Sequence, residues 1–349
     1  MSIRRRLTQQ DIARIAGVSQ TTVSLVLNNR TDAEVRIARE TRERVLRVIA
    51  ETGYVADPVA RRLADRRNRI LGVFTYEGVF PSAGADFYHP FLLGIEQCAE
   101  RIGSDLLLFT SARSADGGRR RIFNQDSRVR LADGCLLLGR SVDRTDLARL
   151  ISEGLPFLSV GRRDDAGGPV PYVGADYPAA VRALVERAVT LGHRRLGYVG
   201  LGVDAGVESQ ADRYRGFREA TAAAGVQGIH LRATEGGAGR LLDDLAAEQV
   251  TAVFAEDPAH AVTITRAAEE RGLAIPRDLS VIALGRPTAP VDDGLEFTGF
   301  RIPRRQMGFR SVELLTELMD RGGGTPQELL PCEPVPGNTL TPVPPRKES

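Results

Sequence analysis

From residue 70 onward the chain repeats one pattern, a short continuous apolar run followed by a longer stretch of helical periodicity. The runs are ILGVFTY (70–76), DLLLFT (105–110), GCLLLG (134–139), PFLSVG (156–161), RLGYVG (195–200), AVFAE (252–256) and SVIALG (280–285). Helical stretches lie near 91–102, 144–153, 177–191, 212–224, 239–249 and 258–271. Strands without a polar side must be covered on both faces, so the alternation predicts parallel sheets packed between helices. In open sheets of this kind ligands bind beyond the C-terminal strand ends. Seven such strands are too many for one compact sheet.

The first 69 residues follow another rule. Thr8 can cap a helix in which Ile12, Ala13, Ile15 and Ala16 recur at helical spacing, and Gly17 suits the left-handed exit that ends it. Ser19 then caps a second helix from Gln20 to about Leu27. Val23, Val26 and Leu27 share its inner face, which leaves Gln20, Thr21, Ser24, Leu25 and Asn28 on or near the outer one. A third helix runs from about Arg39 to Thr52, with Val45, Leu46, Val48 and Ile49 on its apolar side. Two short helices joined by a tight glycine turn form a helix-turn-helix, whose second helix can enter the major groove.

Charge is segregated in the same way. Residues 1–70 hold fifteen arginines against eight carboxylates, a formal +7, and the remainder sums to −5. A basic head on a mildly acidic body suits DNA binding. Lys347 is the only lysine, so part of the arginine excess reflects composition rather than phosphate binding.

The segments LTQQDIARIAGVSQTTVSLVLNNR, TRERVLRVIAETGY and ARRLADRRNRILGVF together resemble the lactose-repressor (LacI/GalR) family of bacterial transcription factors. The resemblance is specific over the first 75 or so residues and continues more weakly to about residue 340. It implies a fold of class α plus α/β: a helix-turn-helix DNA-binding domain (1–53), a hinge (54–69) and a two-lobed, periplasmic-binding-protein-like (type I) core (70–345) that binds effector and dimerises. Lobe 1 would take about 70–173 and 299–325, and lobe 2 about 174–298 and 326–345. Gln20, Thr21 and Leu25 fall where the family reads its operator, and Thr8, Ser19, Thr22, Ser24 and Asn28 complete the expected DNA-facing set. Relatives often place a guanine-reading arginine at the position of Leu25, whereas leucine offers only apolar contact, such as to a thymine methyl. In the hinge, Leu63 would wedge into the minor groove and Arg61 would follow the phosphates. Without DNA, YVADPVARRLADRRNR reads equally as a basic linker.

The resemblance also places an effector site in the core. Phe87, Tyr88 and Phe91 could stack on a sugar face or cover the core. Arg162 follows the fourth apolar run. Ser209 and Arg213 fall where the family uses a hydroxyl and an arginine on its effector; the alternative for Arg213 is an ion pair with Asp212 or Glu208. Glu256, with Asp257 beside it, stands where an amide is common. Gly285 and Arg286 replace an aspartate that grips sugar hydroxyls.

Enzyme and membrane classes find little support. The chain, 42% hydrophobic and 26% charged, has neither an 18-residue apolar run nor a signal-peptide pattern, so a cytoplasmic protein without a membrane partner is expected. Cys98, Cys135 and Cys332 match no metal spacing and read as reduced structural thiols, and the four histidines are scattered. ADGGRRR (115–121) lacks the spacing of a phosphate loop, no G-x-S-x-G turn occurs, and no nucleophile–base set stands out. No catalytic residue, metal or cofactor is expected. The reading is a homodimeric regulator, with repression the expected sign. Its partners are a near-palindromic double-stranded operator and a small molecule, a sugar or related metabolite. A regulator controlled by a protein co-repressor and a solute-binding protein are the alternatives.

Overall fold

The computed structural model describes residues 7–27, 37–52, 54, 68–77, 87–110, 120–123, 128–201, 207–232, 237–286 and 294–343. Asn28, Arg61 and Leu63, together with nearly all of the expected hinge, lie outside these. The chain divides into two compact units, Met1–Asn68 and Arg69–Ser349.

In the first unit, α1 (Gln9–Ala16) begins at a capping box in which the Thr8 hydroxyl accepts from the Asp11 amide and the Asp11 carboxylate accepts from the Thr8 amide. Gly17, at φ +65°, closes it. Helix α2 (Gln20–Leu27) starts at Ser19, whose Oγ accepts from the Thr22 amide at 3.1 Å. Helix α3 (Arg39–Thr52) packs across both, and Ile12, Val23 and Val45 are fully buried between the three. Ile15 and Leu46, expected on the apolar sides, are instead exposed. Three short helices bury only a narrow stripe each, and these two residues stand outside it.

The second unit contains two six-stranded sheets of the same design. Strands β1 (Ile70–Thr75), β2 (Asp105–Phe109), β3 (Gly134–Leu138), β4 (Phe157–Val160), β5 (Tyr172–Ala175) and β11 (Gln327–Leu330) form the first, ordered β11-β5-β4-β3-β1-β2. Strands β6 (Arg195–Val199), β7 (Gln227–Leu231), β8 (Ala252–Ala255), β9 (Ser280–Ala283), β10 (Thr298–Arg301) and β12 (Glu333–Val335) form the second, ordered β12-β10-β9-β8-β6-β7. Every pairing is parallel except β10 with β12. Strands β3, β8 and β9 are buried throughout, which is why they read as unbroken apolar runs.

The helices are α4 (His89–Ile102), α5 (Arg144–Ser152), α6 (Tyr177–Thr190), α7 (Glu208–Ala223), α8 (Gly237–Ala247), α9 (Pro258–Glu270) and α10 (Arg304–Arg321). The chain passes between lobes after β5, between β10 and α10, and between β11 and β12. The expected lobe boundaries therefore shift. Strand β10 pairs with β9 in the second sheet, and β11 pairs with β5 in the first. The open edges of β9 and β5 each need a backbone partner, and these short segments supply it.

Cys98 and Cys135 are buried free thiols, and burial pushes the Cys135 thiol up to about 12. Among the described residues no helix is long and apolar enough to cross a membrane, and no group of three or more His, Cys, Asp or Glu could hold a metal ion.

Candidate functional site

On α2, Gln20 and Thr21 are exposed on the first turn, and Ser24 and Leu25 are half-buried. The Thr22 hydroxyl lies 2.9 Å from that of Ser19, and the Thr8 hydroxyl donates to Asp11 at 2.7 Å. Thr8, Ser19 and Thr22 thus spend their hydroxyls on helix starts. Gln20 and Thr21 are left as the side chains presented by the turn that would meet base edges.

In the core, a cavity of about 670 Å³ opens beyond the C-terminal ends of β3, β4, β5, β8, β9 and β10, strands drawn from both sheets. This is where open α/β sheets place ligands, and the size suits a small metabolite. All ten expected effector residues line it. Phe87, Tyr88 and Phe91 come from the start of α4, Arg162 from beyond β4, and Ser209 and Arg213 from α7. Glu256 and Asp257 follow β8, and Gly285 and Arg286 follow β9.

The two sheets meet the cavity with matching turns. SVGR ends β4 and ALGR ends β9, at equivalent places in the two strand orders. Gly161 has φ +117° and Gly285 φ +148°, conformations that side-chain-bearing residues rarely adopt. A Cβ on Gly285 would also stand 3.2 Å from Pro258 Cγ.

Most of the polar groups are committed. The Glu256 oxygens accept from the Tyr198 hydroxyl at 2.7 Å and the Gln210 amide at 2.6 Å. Burial, reinforced by the Glu256 charge, raises the Tyr198 phenol well above its ordinary value and keeps it a donor. Asp257 caps α9 by accepting from the Ala259 amide at 2.9 Å. Tyr88 is buried in the core cluster, and its hydroxyl donates to Glu77. Phe87 stacks edge-on against Tyr88, so the aromatic group both covers the core and faces the cavity.

Among the described residues, two ion pairs cross between the lobes. Arg162 Nε reaches Asp212 on α7 at 2.5 Å and its Nη1 reaches Asp164 at 2.6 Å. The buried Arg163 reaches Glu208 at 3.1 Å. Burial alone would lower the Arg162 guanidinium, but its two carboxylate partners outweigh that and raise it. Asp212 and Glu208 therefore serve Arg162 and Arg163. Arg213 instead donates to the carbonyls of Leu284 (3.0 Å) and Ser209 (2.8 Å) and lies over the Tyr177 ring at 3.8 Å.

Arg163, Tyr177, Gln210 and Arg304 are among the lining residues that the sequence did not single out. Tyr177 and Arg304 follow β5 and β10, short strands containing glycine that give no apolar run. Arg163 adjoins Arg162, and Gln210 adjoins Ser209, so neighbourhood alone was the available signal.

A helix-turn-helix head carried with a two-sheet core that holds a metabolite-sized cavity is the arrangement of a DNA-binding transcriptional regulator. Residues 8–57 match the model for bacterial regulatory proteins, lacI family, and residues 185–340 match that for the periplasmic binding protein-like domain. The HTH-type transcriptional regulator CelR of Thermobifida fusca is 30% identical over 332 residues, spanning 91% of this chain and 93% of its own. Catabolite control protein A of Priestia megaterium is 24% identical, spanning 90% and 93%. Among solved structures, the lac repressor dimer bound to operator and the anti-inducer ONPF superposes with a TM-score of 0.73 at 22% identity, covering 97% of this chain and 100% of that one. A CelR–cellobiose complex superposes at 0.61 with 26% identity, covering 96% and 100%. The chain belongs to the lacI family of bacterial regulatory proteins, whose members are transcriptional regulators rather than enzymes.

Proposed function

We propose that this chain is a homodimeric repressor whose operator affinity is set by a small molecule held between the core lobes. The observation that carries the reading is the convergence of ten residues, chosen from the sequence, on one cavity lined by both sheets. Relatives named sucrose operon repressor and ribose operon repressor, and the CelR complex with cellobiose, support a sugar or related metabolite as the ligand class. One short helix reads few base pairs, so a two-fold dimer on a near-palindrome follows, with Gln20, Thr21 and Leu25 at the bases and the Arg61–Leu63 hinge beside them.

The ligand acts by binding one lobe arrangement better than another, and that difference limits the switch. A tenfold change in operator affinity needs about 1.4 kcal/mol of coupling. The test begins with an operator selected from random DNA. Full-length protein on that site is then titrated with sugars, polyols, nucleosides and related metabolites that raise its thermal midpoint. At least one is expected to shift operator affinity tenfold. If every compound bound in the cavity leaves operator affinity unchanged, the switch is refuted. Gln20→Ala and Thr21→Ala should weaken the selected site; equal loss on random DNA would remove base readout.

A further inference from the structure

Among the described residues the cavity is lined by seven arginines and three carboxylates. The carboxylates are already engaged. Asp212 pairs with Arg162 and Arg215, Glu256 accepts from Tyr198 and Gln210, and Asp257 caps α9. Arg162 and Arg163 have their own acidic partners. Arg213 and Arg304 do not: among the described residues, no carboxylate oxygen lies within 4.0 Å of either guanidinium. Arg213 is buried, and its polar contacts are neutral carbonyls. Arg304 lies over the Phe87 ring at 4.4 Å, and its buried Nε has no hydrogen-bond partner. Burial lowers the Arg304 guanidinium below its ordinary value, and the like charge of Arg213 pushes the same way.

We infer that the effector carries an oxyanion, a carboxylate or a phosphate, gripped between Arg213 of the second lobe and Arg304 of the first. A guanidinium stacked on a ring keeps its N–H edge free, and that edge matches an oxyanion in a two-pronged way. Unpaired buried cations are unfavourable, and the hydroxyls of a neutral sugar would leave both charges uncompensated. The two cations repel across the cleft when it is empty, and an anion between them turns that repulsion into attraction. This gives the ligand a preference for closed lobes. The inference rests on the preceding reading in taking the occupant of the cavity to be the effector.

The test is calorimetric titration of the full chain with inorganic phosphate and with acetate, against chloride at matched ionic strength. Glucose is then compared with glucuronate and with glucose 6-phosphate. Phosphate or acetate should bind at least tenfold more weakly to Arg213→Gln and to Arg304→Gln, and unchanged to Arg240→Gln on the exposed side of α8. The better of glucuronate and glucose 6-phosphate names the source of the anion. Oxyanion binding no stronger than chloride, or binding that survives both cavity variants, overturns the inference. So does a neutral sugar that binds Arg304→Gln as it binds the parent and still shifts operator affinity, an outcome that leaves the regulator reading intact. Conversely, an oxyanion held by both arginines without effect on the operator keeps the anion site and removes the effector reading. Variants that fold poorly are covered by a second measurement. Arg304→Met deletes an unpaired charge, so its ligand-free thermal midpoint should rise; a fall means the charge is compensated within the fold and overturns the inference.

Discussion

At position 285 the backbone itself resists the aspartate that relatives are expected to carry there. With φ at +148° and Pro258 Cγ 3.2 Å from where a Cβ would stand, a side chain must strain the turn after β9. Gly285→Asp is therefore expected to destabilise the core by about 1 kcal/mol or more, without creating affinity for a neutral sugar. Denaturant unfolding and calorimetry with cellobiose check this, and a fully stable variant that binds cellobiose would refute it. Leu25 is the corresponding departure in the head. It is half-buried on α2 beside the exposed Thr21, which fits apolar contact better than a hydrogen bond. Selection from random DNA should give Leu25→Arg a changed preference at one position per half-site, towards guanine; an unchanged consensus would place Leu25 outside the readout set. Both departures were visible in the sequence. The left-handed turn that explains the first was not, because a glycine in a sequence does not say whether its freedom is used.

Elements that carry a periodic pattern could be read, and those that exist only through pairing could not. Helices α6 and α9 and strands β3 and β9 declare themselves by helical periodicity or by unbroken apolar runs. Strands β5, β10 and β12 are three or four residues long, contain Gly or Pro, and owe their conformation to a neighbouring edge. Missing β5 and β10 hid Tyr177 and Arg304, and with them half of the cation pair. The approach of α4 to α10 was equally hidden. A Cβ on Gly308 would sit 2.1 Å from the Phe91 carbonyl oxygen, and one on Gly94 would sit 1.9 Å from that of Arg305. This contact fixes the helix starts that carry Phe91 and Arg304 into the cavity. Gly308→Ala should cost about 1–3 kcal/mol and weaken cavity ligands, as read by urea unfolding and titration; neither effect would mean that the helices separate freely. A second device ties the end of the described chain to the second lobe. The buried His193 bonds Thr251 Oγ1 and the Thr341 carbonyl, each at 2.9 Å. Burial lowers its imidazole below the ordinary 6.5, so the unfolded chain takes up the proton first. Its contribution is complete above about pH 6.5 and drains as pH falls through that value towards the lower folded one. Between pH 7.5 and 5.5 the parent should lose more stability than His193→Gln; equal losses in denaturant melts would count against the clamp.

On the scale of the whole molecule, the chain separates its tasks by charge and by core. The head has its own buried cluster around Ile12, Val23 and Val45. The boundary between the compact units falls at Asn68 and Arg69, where the excess of positive charge also ends. Within the core, the Arg162–Asp212 and Arg163–Glu208 pairs join the lobes from one side of the cavity, and the three chain crossings join them again. Under the proposed function, ligand recognition is therefore expected to need nothing from the head, and operator binding nothing in the cavity except the state it imposes. A fragment spanning residues 69–349 is accordingly expected to fold with the thermal midpoint of the core transition in the full chain. It should also bind a cavity ligand with the same affinity. It should lose DNA binding altogether, while the full chain's operator affinity falls steeply with salt as arginines displace counterions from phosphate. Scanning calorimetry of fragment and full chain, with titration of one ligand into each, decides the matter. A fragment that fails to fold, or that binds the ligand tenfold more weakly, would mean that the head is part of the ligand site's support and that the two tasks are not separable.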